Sequence, residues 1–218
     1  MPSESDLRLL DEYRRSFGDA YEMVIQTIRK KLQLEPTGRP AKSTSSIIEK
    51  LLRESIRLTQ IQDIAGCRVV VTDVLEQERV IASLRDVFSR VIVIDRRKKP
   101  SYGYRAIHVV ARIAGKLIEI QVRSSLQHLW AEFSEKLSDV VDPAIKYGGG
   151  NDEILQTLTN NSATMGKLED LEKKLALEPE QHLEVIEQRQ ELGRLKTEMS
   201  EMLTWAISWL ENQKEKKK

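Results

Sequence analysis

Two carboxylates in this sequence lie where a metal-assisted phosphoryl transfer would need them. Asp63 precedes the apolar run GCRVVV, and a carboxylate just before a strand can coordinate Mg²⁺ that holds nucleotide phosphates. Taken alone, an Asp at this position is more typical of a helix or turn cap. Glu119 lies in KLIEIQVR, where strand alternation places it with Gln121 and Arg123 opposite an apolar face. An ordinary half-solvated strand has the same pattern, so both interpretations stay open.

Polar and basic side chains recur upstream of Asp63 at intervals of about one helical turn. They are Arg39, Lys42, Ser46 and Lys50. This spacing predicts a phosphate-binding face at a helix N-terminus, although a solvated surface helix carries similarly spaced charges.

The stretch PSYGYRAIH (100–108) interrupts two predicted strands with aromatic and basic side chains. Alternation places Tyr104, Ala106 and His108 on one face, and the basic run RRKK (96–99) precedes them. The stretch thus adds an aromatic ring, that of Tyr104, and several cationic side chains to the two carboxylates. Such a set is what two nucleotides and a metal ion would need.

The elements that must position these residues follow from hydrophobic periodicity. Apolar residues at helical spacing predict one helix over 5–34 and another over IIEKLLRES (47–55). Further helices are predicted over LEQERVIASLRDVF and LQHLWAEFSEKLSDVV. Strand patterns occur in CRVVVTD, VIVID, AIHVVARI and KLIEIQVR, the last two joined by a turn at Ala114–Gly115. The order α-α-β-α-β-β-β-α predicts an α+β fold with a small mixed sheet flanked by helices.

The composition changes after KYGGG (146–150), where long helical patterns begin and Pro179 divides them. We therefore expect a domain over 1–150 and a C-terminal helical arm over 151–218. The leucine-rich pattern of the arm is typical of helical hairpins and coiled coils, and it predicts a homo-oligomer assembled through these helices.

The overall composition limits the classes of function. The 218 residues include 35 basic and 34 acidic side chains, for a net charge of +1, so phosphate chemistry must depend on a local basic patch. One cysteine, Cys67 in a strand pattern, is compatible with a reducing compartment and an inert core thiol. Without a long apolar segment or a signal-peptide pattern, the chain is expected to be cytoplasmic and independent of membranes.

Four blocks, in their order and spacing, resemble the synthetase domain of RelA/SpoT-type alarmone synthetases: DIAGCR, PSYGYRAIH, EIQVR and HLWAEFSEKL. The resemblance covers roughly residues 35–147, and the flanking helices resemble the small, single-domain members. It implies a nucleotidyltransferase-like fold and a Mg²⁺-dependent GTP diphosphokinase. Such an enzyme transfers the β,γ-pyrophosphoryl group of ATP to the 3′-hydroxyl of GDP or GTP and makes (p)ppGpp, the alarmone of the stringent response.

The resemblance also implies roles for individual residues. Asp63 would hold Mg²⁺, and Glu119 would ligate or orient the metal and act as base toward the acceptor hydroxyl. The adenine of ATP would lie between Arg39 and Arg68. Its phosphates would be reached by Lys42, Ser46 and Lys50. The acceptor guanine would stack on Tyr104, and phosphates of the acceptor or transferred group would be surrounded by Arg96, Arg97, Lys99, His108 and Arg123.

Two other functions remain open from the sequence. A toxin-like relative would pyrophosphorylate the 3′-CCA end of tRNA and would need a basic docking surface, for which Arg29, Lys30, Lys31 and the run 96–99 are candidates. An inactive binding module would act through its helical arm, but the presence of both Asp63 and Glu119 argues against it.

Overall fold

A computed structural model of the chain describes residues 3–179 and 181–216. The ends of the predicted domain and arm (1–2 and 217–218) and Glu180 within the arm lie outside these residues. The helices are α1 (Glu4–Arg15), α2 (Gly18–Thr27), α3 (Thr44–Glu54), α4 (Val74–Val87), α5 (Ser125–Val140), α6 (Asp152–Leu177) and α7 (Leu183–Lys216). The strands are β1 (Thr37–Arg39), β2 (Ala65–Val71), β3 (Val91–Asp95), β4 (Ile107–Ile113) and β5 (Lys116–Ser124).

The strands form one five-stranded sheet in the order β1-β2-β5-β4-β3. Strands β4 and β5 pair antiparallel through the tight turn at Ala114 and Gly115, whose φ angles of 47° and 81° give the two left-handed residues of such a hairpin. The predicted fold class, an α+β chain with a small mixed sheet flanked by helices, is confirmed.

The described residues form two compact units that interleave along the chain. The first unit comes from Met1–Val70, Arg79–Ile94 and Ile107–Val122, and the second from Val71–Glu78, Asp95–Ala106 and Arg123–Lys218. The division at residue 150 stays a prediction; α6 and α7 belong to the same compact unit as α5.

The single helix predicted over 5–34 is wrong. The chain forms α1 and α2 with a break at Ser16 and Phe17, followed by a π-helical turn over Ile28–Leu32. The break lets Phe17 turn inward, where it is 2% exposed and meets the ring of Tyr13 edge-on. Burial of this aromatic ring therefore outweighs the continuation of the helix.

Strand β1 has no counterpart in the predicted order. It has three residues between Pro36 and Pro40, and these prolines and Gly38 are typical of a break rather than a strand. Gly38 pairs with Cys67 of β2. A Cβ atom at Gly38 would lie 2.4 Å from the carbonyl oxygen of Gly66, so the close approach of the two strands requires glycine there.

The second unit is built largely of helices, with α5 and α6 both packed on α7. One apolar cluster joins Trp130 of α5 with Met165 of α6 and Leu203 of α7. A second cluster joins Leu175 of α6 with Val185 and Leu192 of α7. The helical patterns divided by Pro179 are thus confirmed as α6 and α7.

The interior of the first unit includes Cys67, which is 4% exposed. Burial, together with a smaller effect of the charge of Glu119, raises the pKa of this thiol to about 12. Both effects agree with the expectation of an inert core thiol. Among the described residues, no helix is long and apolar enough to cross a membrane.

Candidate active site

Polar side chains share one face of the sheet in the first unit. In β5, Ile118 and Ile120 are fully buried while Glu119 and Gln121 alternate with them. Gln121 pairs directly with His108 of β4. Because paired residues project to the same side, His108 lies on the face of Glu119. The alternation predicted from KLIEIQVR is confirmed.

Glu119 is held by two neighbours on this face. His108 Nδ1 lies 2.9 Å from Glu119 Oε1, and Gln121 Nε2 donates to Oε2 at 2.8 Å. Burial raises the pKa of Glu119, as does the charge of Asp63, but the hydrogen bond and charge of His108 and the Gln121 hydrogen bond outweigh both. The pKa therefore lies below its ordinary value, and the carboxylate is ionised at neutral pH.

Asp63 lies just before β2 and binds two lysines. Lys42 Nζ donates to Oδ2 at 2.7 Å, and Lys50 Nζ donates to Oδ1 at 2.8 Å. Burial raises the pKa of Asp63, but the hydrogen bonds and charges of both lysines outweigh it and lower the pKa to about 2. The structure does not show a simple capping aspartate, because the two carboxylate oxygens of Asp63 form ion pairs with Lys42 and Lys50.

The carboxylates of Asp63 and Glu119 are the oxygen ligands that Mg²⁺ prefers in proteins. Among residues 3–179 and 181–216, no group of three or more His, Cys, Asp or Glu side chains is arranged to hold a metal. Mg²⁺ at nucleotide sites usually takes one or two carboxylates, and substrate phosphates and water provide its other ligands. Asp63 and Glu119, which interact electrostatically, fit an ion that arrives with a nucleotide.

Arg39 and Arg68 lie on the same face of the β1–β2 pair. Arg39 pairs with Gly66, and Arg68 follows Gly66 by two residues, so the arginines are diagonal neighbours. Diagonal pairs are separated by about 7–8 Å, which leaves space for one planar ring between two stacked guanidinium groups. The pair can therefore enclose a flat base, as the resemblance implies.

The predicted helical face of four residues is wrong in its geometry. Arg39 lies on β1 and Lys42 on the connection to α3, because the Lys42 N–H donates to the Ile64 carbonyl at 2.6 Å instead of entering the helix. Ser46 and Lys50 are on α3. Lys42 and Lys50 nevertheless meet, since both bind Asp63.

Ser46 belongs to the N-terminal cap of α3. The Ser43 hydroxyl accepts from the Ser46 N–H at 3.3 Å and lies 2.8 Å from the Ser46 hydroxyl, to which it donates. The helix thus begins beside Lys42 with backbone N–H groups in its first turn. A helix start of this kind, with two lysines nearby, is suited to phosphate.

The second unit contains the 95–106 loop, which carries most of the predicted acceptor residues. Its tip is a tight turn closed by the Tyr104 N–H, which donates to the Ser101 carbonyl at 3.0 Å. Tyr102 and Gly103 have left-handed φ angles of 51° and 85°. The Gly103 carbonyl accepts from Trp130 Nε1 of α5 at 2.8 Å, which fixes the turn.

Tyr104 and Arg123 form a stacked pair. The Arg123 guanidinium carbon lies 5.1 Å from the centre of the Tyr104 ring, and Arg123 Nη2 donates to the Tyr104 hydroxyl at 3.0 Å. Arg123 is buried. The structure therefore brings these two predicted acceptor residues together, with the cation holding the ring in place.

The side chains of the basic run 96–99 differ in exposure and in their contacts. Lys99 is exposed, and Arg96 Nη1 lies 3.5 Å from the Ser101 hydroxyl. The Arg97 side chain is 7% exposed and makes two bonds to Asp95, at 3.0 and 2.8 Å, and one to Glu78 at 2.6 Å. Arg97 is thus committed to contacts within the protein, unlike Lys99.

Comparison with known proteins identifies the central part of the chain. The model of the region found in RelA and SpoT proteins matches residues 38–138. Residues 38–138 are therefore a RelA/SpoT-type region. An uncharacterized protein of Mycobacterium tuberculosis is 40% identical over 111 residues, which are 49% of this chain and 41% of that protein.

Other relatives of the RelA/SpoT-type domain are named for an activity. A probable chloroplastic GTP diphosphokinase of Arabidopsis thaliana is 30% identical over 96 residues, 42% of this chain and 14% of that protein. The crystal structure of small alarmone synthetase 1 from Bacillus subtilis, bound to its product pppGpp, is 25% identical with a TM-score of 0.56, covering 78% of this chain and 95% of that one. The chain spans less than half the length of the two sequence relatives.

Every predicted site residue lies within the RelA/SpoT-type region. Structure adds four residues that sequence reasoning missed: Gln77, Arg105, Gln127 and Glu169. Glu169 lies on α6, outside the matched region. One signal was present, because Glu169 continues the buried stripe of Leu158, Ser162 and Met165 at spacings of three and four, so a carboxylate stands at a core position of the helix.

Proposed function

We propose that this chain is a Mg²⁺-dependent (p)ppGpp synthetase, which transfers the β,γ-pyrophosphoryl group of ATP to the 3′-hydroxyl of GDP or GTP. The observation that carries the proposal is the polar face of the first unit. There Asp63 bound by two lysines and Glu119 bound by His108 lie within the RelA/SpoT-type region.

The ATP side follows from the residues around Asp63. Arg39 and Arg68 would enclose the adenine, and the N-terminus of α3 with Ser46 would face the phosphates. Lys42 and Lys50 both form ion pairs with Asp63. When ATP binds, both lysines would turn to the phosphates, and Asp63 would be released to a cation.

The transfer step assigns a role to Glu119. The acceptor 3′-oxygen attacks the β-phosphorus, the bond from that phosphorus to the oxygen bridging the α-phosphate breaks, and AMP leaves. Glu119, ionised at neutral pH, takes the proton from the attacking hydroxyl. Mg²⁺ held by Asp63 and Glu119 would neutralise charge on the transferred group. The lysines and arginines stabilise the remaining charge on its oxygens.

The acceptor side follows from the 95–106 loop. The Tyr104 ring, held by Arg123, would stack on guanine, while Arg96 and Lys99 would face phosphates. The Bacillus subtilis relative was solved with pppGpp, a guanosine nucleotide, which supports this assignment. His108, hydrogen-bonded to Glu119, would lie near the reacting hydroxyl rather than at a distant phosphate.

The decisive experiment follows label from γ-³²P-ATP with Mg²⁺ by thin-layer chromatography. Separate reactions contain GDP, GTP or deacylated tRNA, and the Glu119→Gln variant is the blank. We expect label in a guanosine tetra- or pentaphosphate and a rate reduced by about 10² to 10⁴ in the variant, the usual value of a general base. Label on tRNA alone would instead identify a tRNA-modifying relative, and label on neither acceptor would reject the proposal.

We further propose self-association through the C-terminal helices. On α7, Trp205 and Trp209 are 68% and 50% exposed and one turn apart, and Met202 lies beside them at 54%. An exposed aromatic stripe of this kind is typical of an interface. Light scattering coupled to size exclusion should show a mass above one chain that falls when Trp205 and Trp209 are replaced by Ser. An unchanged mass would exclude this stripe.

A further inference from the structure

One buried ion pair joins the 95–106 loop to helix α6. Arg105 Nε and Nη2 donate to the two carboxylate oxygens of Glu169 at 3.2 and 2.6 Å, and the side chains are 7% and 8% exposed. Arg105 directly follows Tyr104 in the chain. The pair therefore fixes the backbone next to the ring that is proposed to stack on guanine.

Helix α6 is shaped to receive this part of the loop. A Cβ atom on Gly166 would lie 3.2 Å from Arg105 Nη2, so glycine leaves room for the guanidinium on the helix surface. A Cβ atom on Gly103 would lie 3.0 Å from the carbonyl oxygen of Leu158, which lies about two turns before Gly166 on α6. Two points of the loop thus rest directly on the same helix.

The N-terminal end of the 95–106 loop is linked to Glu169 through two buried glutamines. Gln127 Nε2 donates to Glu169 Oε1 at 2.8 Å and Gln77 Nε2 donates to Gln127 Oε1 at 2.8 Å. Gln77 Oε1 in turn accepts from Arg97 Nη1 at 3.0 Å. Both glutamines are fully buried. Arg97 and Arg105, near the two ends of the loop, are therefore connected through Glu169.

We propose that Glu169 is a positioning residue, which sets the conformation of the 95–106 loop for the acceptor nucleotide. The inference rests on the proposed function and deepens it, because it assigns acceptor binding partly to a helix outside the RelA/SpoT-type region. A loop already held in its binding conformation loses less entropy when the ligand binds. Glu169 touches no reacting atom; it acts through Arg105 and Gln127.

The first test variant is Glu169→Gln. Both carboxylate oxygens accept, one from Arg105 and Gln127 and the other from Arg105. The glutamine side chain has one oxygen and one NH₂ group in place of the two oxygens. Its NH₂ group must face an N–H donor of Arg105 or Gln127, so that contact becomes repulsive. We expect the KM for the guanosine acceptor to rise about tenfold, the change that corresponds to about 1.4 kcal/mol, while the KM for ATP stays unchanged.

Two further variants separate positioning from stability. Glu172→Gln, three residues along α6, removes the ion pair with Lys196 of α7 and leaves the loop contacts intact, so its acceptor KM should equal that of the native protein. In Arg105→Met/Glu169→Met no buried charge is left unpaired, so melting should return toward the native temperature. Its acceptor KM should stay raised because the anchor is missing.

Amide hydrogen exchange of residues 101–106 provides a readout that does not depend on turnover. We expect faster exchange there in Glu169→Gln and native exchange in Glu172→Gln. Unchanged loop exchange and acceptor KM in Glu169→Gln would overturn the inference, as would a double variant that recovers both stability and acceptor KM. If the native protein makes no guanosine product, the proposed function fails, and loop exchange still decides whether Glu169 holds the loop.

Discussion

Two groups of ion pairs, one in each compact unit, differ in how far their side chains are withdrawn from water. In the first unit, the side chains of Lys42, Lys50 and Asp63 are 17%, 20% and 25% exposed. In the second, those of Arg105 and Glu169 are 7% and 8% exposed and belong to a connected buried network. The first set consists of three charged side chains that water can reach, whereas the second is one ion pair whose carboxylate also accepts a hydrogen bond from buried Gln127.

This difference separates groups that exchange partners from groups that hold position. Removing one partner from a buried pair leaves an uncompensated charge and is strongly unfavourable, so such a pair persists through a reaction cycle. Partly exposed lysines can change partners at low cost, because water and an incoming phosphate both compensate the charge. On this argument the Asp63 cluster is suited to ligand exchange, and the Arg105–Glu169 pair to a permanent support.

The Lys50→Met variant should have the largest effect if the lysines move from Asp63 to the phosphates of ATP. If Lys50 leaves Asp63 for the phosphates of ATP, its loss removes a cation that stabilises the transferred group, and kcat/KM for ATP should fall about 10²-fold. The loss of stability should stay below the roughly 2 kcal/mol that both lysines contribute through Asp63, since Lys42 still pairs with Asp63. Initial rates at varied ATP concentration measure the effect.

A matched control makes the same Lys→Met substitution at a position with no proposed role in ATP binding. Lys146→Met removes a lysine paired with Asp139 on the surface, where both side chains are more than a third exposed. Its rates should equal those of the native protein. Equal losses in the two variants would mean that Lys50 acts through general charge rather than through exchange with ATP.

A second test compares stability with pH in the nucleotide-free chain. The pKa of Asp63 is about 2 when folded and near 3.8 when unfolded, so the unfolded chain binds its proton first as the pH falls. The Asp63 contribution is present above pH 4 and is lost between about pH 4 and pH 2, for about 2 kcal/mol. Urea unfolding at several pH values measures it.

Asp63→Asn provides the reference for that test, because protonation of other carboxylates also lowers the free energy of unfolding in acid. The native protein should lose about 2 kcal/mol more than the variant between pH 5 and pH 2. Parallel pH profiles for the two proteins would show that the lysines do not stabilise the ionised form.

Much of the fold was predictable because its signals are local. Alternation in KLIEIQVR and the pair Ala114–Gly115 determine a hairpin and its faces within about ten residues, and the structure confirms both. The same alternation placed Glu119 on the polar face. Strand β1 was not predictable, since its three residues are stabilised only by pairing with β2, far along the chain.

The support of the 95–106 loop was not predictable for a related reason. Arg105 and Glu169 are 64 residues apart in sequence, and nothing in either segment alone specifies the partner. The basic run illustrates the same limit. Arg97 and Lys99 have similar charge in sequence, but only the structure shows that Arg97 is held by Asp95 and Glu78.

The smallest expected effect comes from two glycines in long helices. Gly193 of α7 has nothing within 4 Å of an added Cβ atom, so Gly193→Ala should stabilise the protein by about 0.5–1 kcal/mol through helix propensity. Gly166→Ala has the same gain in propensity, but its Cβ atom would meet Arg105 Nη2 at 3.2 Å. We expect no net stabilisation there, because the support of the loop must shift, and urea unfolding of both variants measures the difference. Equal stabilisation by the two substitutions would show that Arg105 moves aside without cost, and the 95–106 loop would then be less firmly held by α6 than the buried pair implies.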